Sequence, residues 1–151
     1  MNDDWTIVSN EHVGGEDTAD QLKASFDGIS KIFNVNDKWT SIANPKVFQF
    51  KQSAKISTYL YAIVAGPFDF FENNKEGFPP MRIYARKTMM KEVNHVDMFH
   101  CTQVGITHYT EMFGKGYPFS KYDQVFVPEH NAGAMENVGC VTYNETFLFK
   151  G

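Results

Sequence analysis

The sequence predicts a mixed helix-and-strand protein of the α+β class, on three observations. Short runs rich in β-branched and aromatic residues fill the first half. One stretch from Thr88, free of glycine and proline up to Gly105, opens a run of apolar residues at helical spacing. Clusters of turn formers punctuate the chain between them.

In order, Trp5-Thr6-Ile7-Val8 reads as a strand that ends in the turn formers Ser9-Asn10. The polar stretch from His12 to Asn44 reads as a loop or insertion. Its one helical signal is Leu22, Phe26, Ile29 and Phe33, after a possible N-cap at Asp17 or Thr18 and interrupted by Gly28. Val47-Phe48-Gln49-Phe50 is a short strand. Ile56 to Ala65 is a longer one, expected to be buried on both faces towards its end, where Gly66-Pro67 breaks it. Residues 73–80, with their turn formers, charge and Pro79-Pro80, read as a linker. Met81 to Ala85 alternates as a strand. Thr88 then sits where an N-cap would, and Val93, Val96, Phe99, Ile106, Tyr109 and Phe113 form the stripe of a long amphipathic helix. Gly114, Gly116 and Pro118 stop it. Tyr122 to Val127 is a strand, and Val138 to Phe149 is β-rich again.

Composition excludes several classes. Hydrophobic residues make up 42% and charged residues 21%, well away from the signature of disorder. Fourteen basic against 18 acidic residues leave a net charge of −4, which argues against a nucleic-acid partner. No apolar run approaches the roughly 20 residues that span a bilayer, and Met1-Asn2-Asp3-Asp4 is no secretory signal. Cys101 and Cys140 have no framework spacing, so a reduced cytoplasmic setting is the expectation, with a membrane-anchored longer form left open.

Candidate metal ligands fare poorly. On the predicted helix His95 and His100 are about 140° out of phase, and His100 and His108 lie about 12 Å apart along the axis. Neither pair can share one ion, and each histidine reads as a partly solvated helix residue. His-Glu-x-x-His occurs nowhere in the sequence, and the two isolated cysteines exclude a zinc ribbon. Met89-Met90 reads as core filler, and Gly14-Gly15 as a turn, since no P-loop Lys-Ser/Thr follows.

The informative segment is Gly133-Ala134-Met135-Glu136-Asn137. Physically it is a small, permissive stretch that another backbone could approach closely, ending in a carboxylate. Its setting makes it specific. Tyr117-Pro118, Lys121, Asp123 and Pro128 precede it, and Gly139, Thr142-Tyr143 and Glu145 follow. Together these fill every fixed position of YP-x-x-K-x-D-x-x-x-x-P-x-x-x-x-GAMEN-x-G-x-x-T-[YF]-x-E. The chain thus resembles the aminopeptidase N family of zinc metallopeptidases over nearly its whole length, apart from the stretch 12–44. Upstream, Ser57-Thr58-Tyr59-Leu60, Ala62 and Gly66 resemble the last strand of that family's N-terminal β-domain, and Trp5 with Ser9-Asn10 an earlier one.

The resemblance implies an architecture. Residues 1–72 would be the C-terminal part of an antiparallel β-sandwich or saddle domain, with 12–44 a loop or insertion. Residues 73–80 would be the linker, and 81–151 the first strand-helix-strand portion of a thermolysin-like catalytic domain. It further implies that Gly133 and Ala134 hydrogen-bond a peptide lying as an added strand, and that Glu136 receives the peptide's free α-ammonium. Met135 belongs to the same substrate-binding segment, and Asn137 would hold the strand. Zinc is the cofactor of the complete family enzyme, held by a His-Glu-x-x-His helix and a further glutamate. Residues 1–151 contain no such ligand set and no catalytic residue of that kind. The expectation is a piece of a zinc-dependent aminopeptidase that supplies the substrate-binding strand and is inactive alone. Its partners would be a peptide N-terminus and either the remainder of the catalytic domain or a paralogue. The alternative is a non-catalytic relative that binds peptides or associates with a paralogue. A leukotriene-hydrolase-like member is disfavoured, because that branch carries Gly where this chain has Ala134.

Overall fold

A computed structural model describes residues 5–17 and 47–149. The helix expected around Leu22–Phe33, and most of the expected 12–44 loop, lie outside them. The described residues divide into two compact units, one of 13–17 with 47–51 and the other of 5–12 with 52–149.

In the first unit, β2 (Val13–Asp17) pairs antiparallel with β3 (Val47–Phe50). β3 is the strand expected there. β2 occupies the start of the stretch expected to be loop, where the register slips between Val13 and Gly15. A glycine-bearing bulge of this kind masks the alternation that would mark a strand.

In the second unit, β1 (Thr6–Ser9) pairs antiparallel with β4 (Ile63–Gly66), Thr6 opposite Gly66 and Ser9 opposite Ile63. The long strand expected over Ile56–Ala65 is shorter than its β-rich composition suggests. Thr58–Leu60 form a 3-10 turn, and the Asn10 side chain takes up the backbone at its C-terminal end. Its Nδ2 donates to the Leu60 carbonyl at 2.8 Å, and its Oδ1 accepts from the Ala62 N–H at 2.9 Å. The end of the run is not buried on both faces: Ile63 is exposed while Val64 packs inward, because this two-stranded sheet has one open face.

The main sheet has five strands in the order β5-β6-β7-β9-β8. They are β5 (Phe68–Asn73), β6 (Met81–Arg86), β7 (Tyr122–Val127), β8 (Ala134–Met135) and β9 (Cys140–Asn144). β5 pairs antiparallel with β6 along its whole length, from Phe68 opposite Arg86 to Asn73 opposite Met81. Residues 73–80, expected to link two domains, are therefore the loop of a hairpin, turning at Gly77 with φ 83°. β6 runs parallel to β7 and β7 parallel to β9, so the connection from β6 to β7 is a crossover, which the helix α1 (His95–Phe113) supplies.

Side-chain alternation sorts the sheet's two faces. Met81, Ile83, Ala85 and Phe126 meet Val93, Phe99 and Leu148 on the helix side. Tyr84, Val125 and Cys140 meet Val8 and Phe68 on the other, with Ala62 and Val64 packed against them. β6 and β7 are thus covered on both faces, as central strands require.

α1 starts later than Thr88. Residues Lys87–Glu92 form a 3-10 turn, and Asn94 is the cap: its Oδ1 accepts from the Asp97 N–H while its Nδ2 donates to the Asp97 carboxylate at 2.6 Å. Asp97 also places negative charge on the positive end of the helix dipole. Gly114, left-handed at φ 63°, closes the other end. The expected apolar stripe is only partly the buried one. Phe99 is buried and Ile106 packs on the core, whereas Val96, Tyr109 and Phe113 are exposed. The inward line instead includes Thr102 and Gln103, polar residues satisfied by partners. The Gln103 amide donates to Asn73 Oδ1 at 3.2 Å, and the Gln124 amide to Thr102 Oγ1 at 3.1 Å. No helix among the described residues is long and apolar enough to cross a membrane. Mixed helix and strand content of the α+β class is the observed architecture.

Candidate functional site

β7 ends at Pro128, and the chain turns through Glu129, whose φ of 53° is the one left-handed non-glycine value among the described residues. It then reaches β8, which stands last in the sheet and pairs only with β9 among the described strands. Ala134 faces Tyr143 and Met135 faces Thr142. Just before the strand, the Asn144 N–H donates to the Gly133 carbonyl at 2.8 Å. At Gly133 a Cβ would come 3.3 Å from the Phe147 ring, so glycine lets the backbone run close to that side chain.

Among the described residues, nothing pairs with the outer edge of β8. Gly133, Ala134 and Glu136 are exposed and Met135 half-buried, and the Glu136 carboxylate has no hydrogen-bond or ion-pair partner among the described residues. An unpaired strand edge offers alternating donors and acceptors to another extended chain. A free carboxylate at its end adds a fixed negative charge.

Behind this edge the polar groups are tightly accounted for. Asn137 is buried; its Nδ2 donates to Thr142 Oγ1 at 3.2 Å, and its carbonyl accepts from the Cys140 N–H at 3.0 Å. The His130 ring lies 3.0 Å from Thr142 Oγ1 through Nε2 and 2.7 Å from the Ala132 carbonyl through Nδ1. The Asn144 amide donates to the His130 carbonyl at 2.8 Å. Gly139, at φ 69°, has no room for a side chain, since a Cβ would fall 2.1 Å from the Asn10 carbonyl. Beneath it the buried Lys121 ammonium donates to the Asp123 carboxylate and the Ser9 carbonyl, both at 2.7 Å, and to the Gly139 carbonyl. Burial lifts the Asp123 carboxyl above its ordinary value, and Lys121 pulls it back only in part. Burial likewise pushes the Cys140 thiol up to about 12, which makes it inert as a nucleophile at neutral pH.

Among the described residues no group of three His, Cys, Asp or Glu side chains is placed to hold a metal ion. The histidines of α1 do not converge; His95 instead stacks on Phe71 with ring centroids 3.9 Å apart. The donor set of the described residues therefore does not fit zinc.

Residues 98–151 match the peptidase family M1 domain. An aminopeptidase N of Streptomyces lividans is 37% identical over 139 residues, 85% of this chain and 16% of the relative. The chain belongs to peptidase family M1. Other M1 relatives include aminopeptidase Ey of Gallus gallus, 38% identical over 68% of the chain, and aminopeptidase N of Homo sapiens, 34% identical over 70%. The chain spans 16%, 10% and 11% of the lengths of these three proteins.

Seen in this M1 chain, the fixed positions around the Gly133–Asn137 segment are mostly scaffold. The Tyr117 hydroxyl donates to the Lys121 carbonyl at 3.2 Å, Lys121 and Asp123 are the buried ion pair, and Gly139 is the close approach. Glu145 takes both Arg86 nitrogens, at 2.7 and 2.9 Å, tying the turn after β9 to the end of β6. The five residues singled out from sequence lie contiguously at the sheet edge, four of them at least partly accessible and Asn137 buried beneath. The sequence assigns no role to His130 or Asn144, and marks Thr142 only as a fixed position of the pattern; the usable signal is a histidine three residues before Gly133, away from the helix that carries His95, His100 and His108.

Proposed function

We propose that β8 is the strand on which an M1 aminopeptidase lays its peptide substrate, and that Glu136 grips the substrate's free α-ammonium. The observation that carries this reading is a carboxylate with no partner among the described residues, at the end of a strand that pairs on one side only with described residues. The backbone groups of Gly133 and Ala134 pair with the peptide main chain and are indifferent to its side chains. The carboxylate then sets the register by counting from the amine. In this reading α1 and the five-stranded sheet form the opening of the thermolysin-like catalytic domain, and β1 with β4 the end of the preceding β-domain. In a complete family enzyme, zinc held by residues that this chain does not contain would supply carbonyl polarisation and water activation. The sequence of 151 residues has no His-Glu-x-x-His, so this chain binds without turning over.

The test is peptide binding together with turnover. A short peptide with a free amine should bind wild type about fivefold more tightly than Glu136→Gln, the scale of a partly solvated charge pair. An aminoacyl-coumarin with added zinc should show no release above background. Equal affinities, or chelator-sensitive turnover by the chain, contradict the reading.

A second reading, association with the remainder of a catalytic domain or with a paralogue, is favoured by one observation. An open groove of about 1050 Å³ runs along α1, lined by Ile106, Tyr109, Phe113, Phe126, Tyr143 and Phe147 among others. Apolar surface of this kind on a soluble chain marks an interaction face or an aggregation liability. Concentration-dependent association in sedimentation supports it; a monomer at all concentrations with one cooperative thermal transition removes it.

A further inference from the structure

We infer that His130 is a positioning residue, which holds the β8 segment through a directed hydrogen-bond relay that clamps both of its flanks. Ala132 precedes the segment 133–136 and Asn137 follows it, and His130 and Thr142 connect the two. The donors can be assigned by comparing the contacts that each tautomer makes. Asn137 Nδ2 can only donate, and it does so to Thr142 Oγ1 at 3.2 Å. The Ala132 carbonyl can only accept, and at 2.7 Å it lies closer to His130 Nδ1 than the competing Ala132 N–H at 3.2 Å, which assigns a proton to Nδ1. In the neutral ring Nε2 is then the acceptor and takes the Thr142 hydroxyl proton at 3.0 Å. The relay runs Asn137 N–H to Thr142, Thr142 O–H to Nε2, Nδ1–H to the Ala132 carbonyl; the Ala132 N–H, which gives up its contact with Nδ1, belongs to an exposed residue that water can reach.

The opposite tautomer breaks this order. With the proton on Nε2, Thr142 Oγ1 would accept two donors, and its own proton would have no acceptor among the described residues. Nδ1 would also face the Ala132 carbonyl lone pair to lone pair at 2.7 Å, against a single gain, the Ala132 N–H at 3.2 Å. Thr142 is buried, so water is poorly placed to repair the loss. Asn144 reinforces the clamp by donating its side-chain amide to the His130 carbonyl and its backbone N–H to the Gly133 carbonyl, both at 2.8 Å. Thr142 and Asn144 both belong to β9, so the relay fixes the segment against the strand that carries it. The functional consequence, an edge held rigid for an incoming peptide, rests on the reading of β8 as the substrate strand; the relay itself does not.

Nitrogen-15 spectra of the labelled full chain test it at a pH where His130 is neutral. The expected signature is a protonated Nδ1 and an unprotonated Nε2; a protonated Nε2, or a ring averaging freely between forms, overturns the relay. In amide exchange, His130→Ala should open the Asn144 N–H roughly three- to tenfold while leaving the Val125 amide of β7 unchanged. His130→Asn, whose amide can donate from about the place of Nδ1, should recover much of that protection. Unchanged exchange at Asn144 in His130→Ala also overturns the proposal. Affinity for a free-amine peptide should fall in His130→Ala and return in His130→Asn. A wild-type chain that binds no such peptide refutes the function proposed for β8, while ring and exchange data still decide the relay.

Discussion

Lys121 is the residue on which the back of the site depends. Its ammonium is buried with the Asp123 carboxylate and also satisfies carbonyls from β1 and from the turn after Asn137. Lys121→Met leaves an unpaired buried carboxylate and takes a charged donor from the Ser9 and Gly139 carbonyls, and should cost about 3–5 kcal/mol in urea denaturation. Lys121→Met with Asp123→Leu removes the stranded charge and should recover part of that loss; a double variant as unstable as the single one contradicts the account. At this scale the sequence was informative where the proposed substrate-binding residues are contiguous. Gly133 to Asn137 could be read directly, because permissive small residues followed by a carboxylate are adjacent in the chain. His130, Thr142 and Asn144 could not, because their meaning is a proton path that only the pairing of β8 with β9 brings together. Lys121 and Asp123 stood in the motif as letters without a role, since a two-residue spacing does not say whether a pair is buried.

At the scale of elements, short β-rich runs were legible to the residue even where alternation is weak, as for Val47–Phe50 and Tyr122–Val127. The helix was legible in kind but not in phase. A search for apolar spacing follows Val96, Tyr109 and Phe113, which face outward, and passes over Thr102 and Gln103, which face in because their side chains are satisfied there. The start of α1 was misplaced at Thr88 for a related reason: any Ser, Thr, Asp or Asn before a periodic run can serve, and geometry chose Asn94. Asn94→Ala should therefore cost about 1 kcal/mol of stability, and Thr88→Ala only a few tenths. The reverse ranking by thermal or chemical denaturation would restore the earlier helix start.

For the whole molecule, the α+β class was legible but the sheet order was not. Pairing β9 between β7 and β8, and β5 with β6 across residues 73–80, depends on long-range register that local pattern does not encode. The sheet's two buried faces carry a pH consequence. Burial raises the Cys140 thiol from 9.0 and the Tyr84 and Tyr143 phenols from 10.0, each to about 12. Between those ordinary values and about 12 the unfolded chain sheds protons that the folded chain retains. Stability from these groups is therefore fully present below about pH 9 and is lost as pH rises towards 12. Denaturation midpoints should fall steadily from pH 9 upward, and at pH 8 a thiol reagent should label exposed Cys101 quickly and Cys140 only on unfolding. A flat alkaline limb, or equal labelling of the two thiols, contradicts this picture of the core.

The central claim is the pairing of one carboxylate with one ammonium, and a thermodynamic cycle measures that pairing alone. Affinities are taken for wild type and Glu136→Gln, each with a peptide bearing a free amine and with its N-acetyl form. Removing the charge from either side should cost about fivefold, and removing the second should then cost almost nothing, leaving a coupling of about that size. Losses that simply multiply, with no coupling between Glu136 and the amine, would contradict the account.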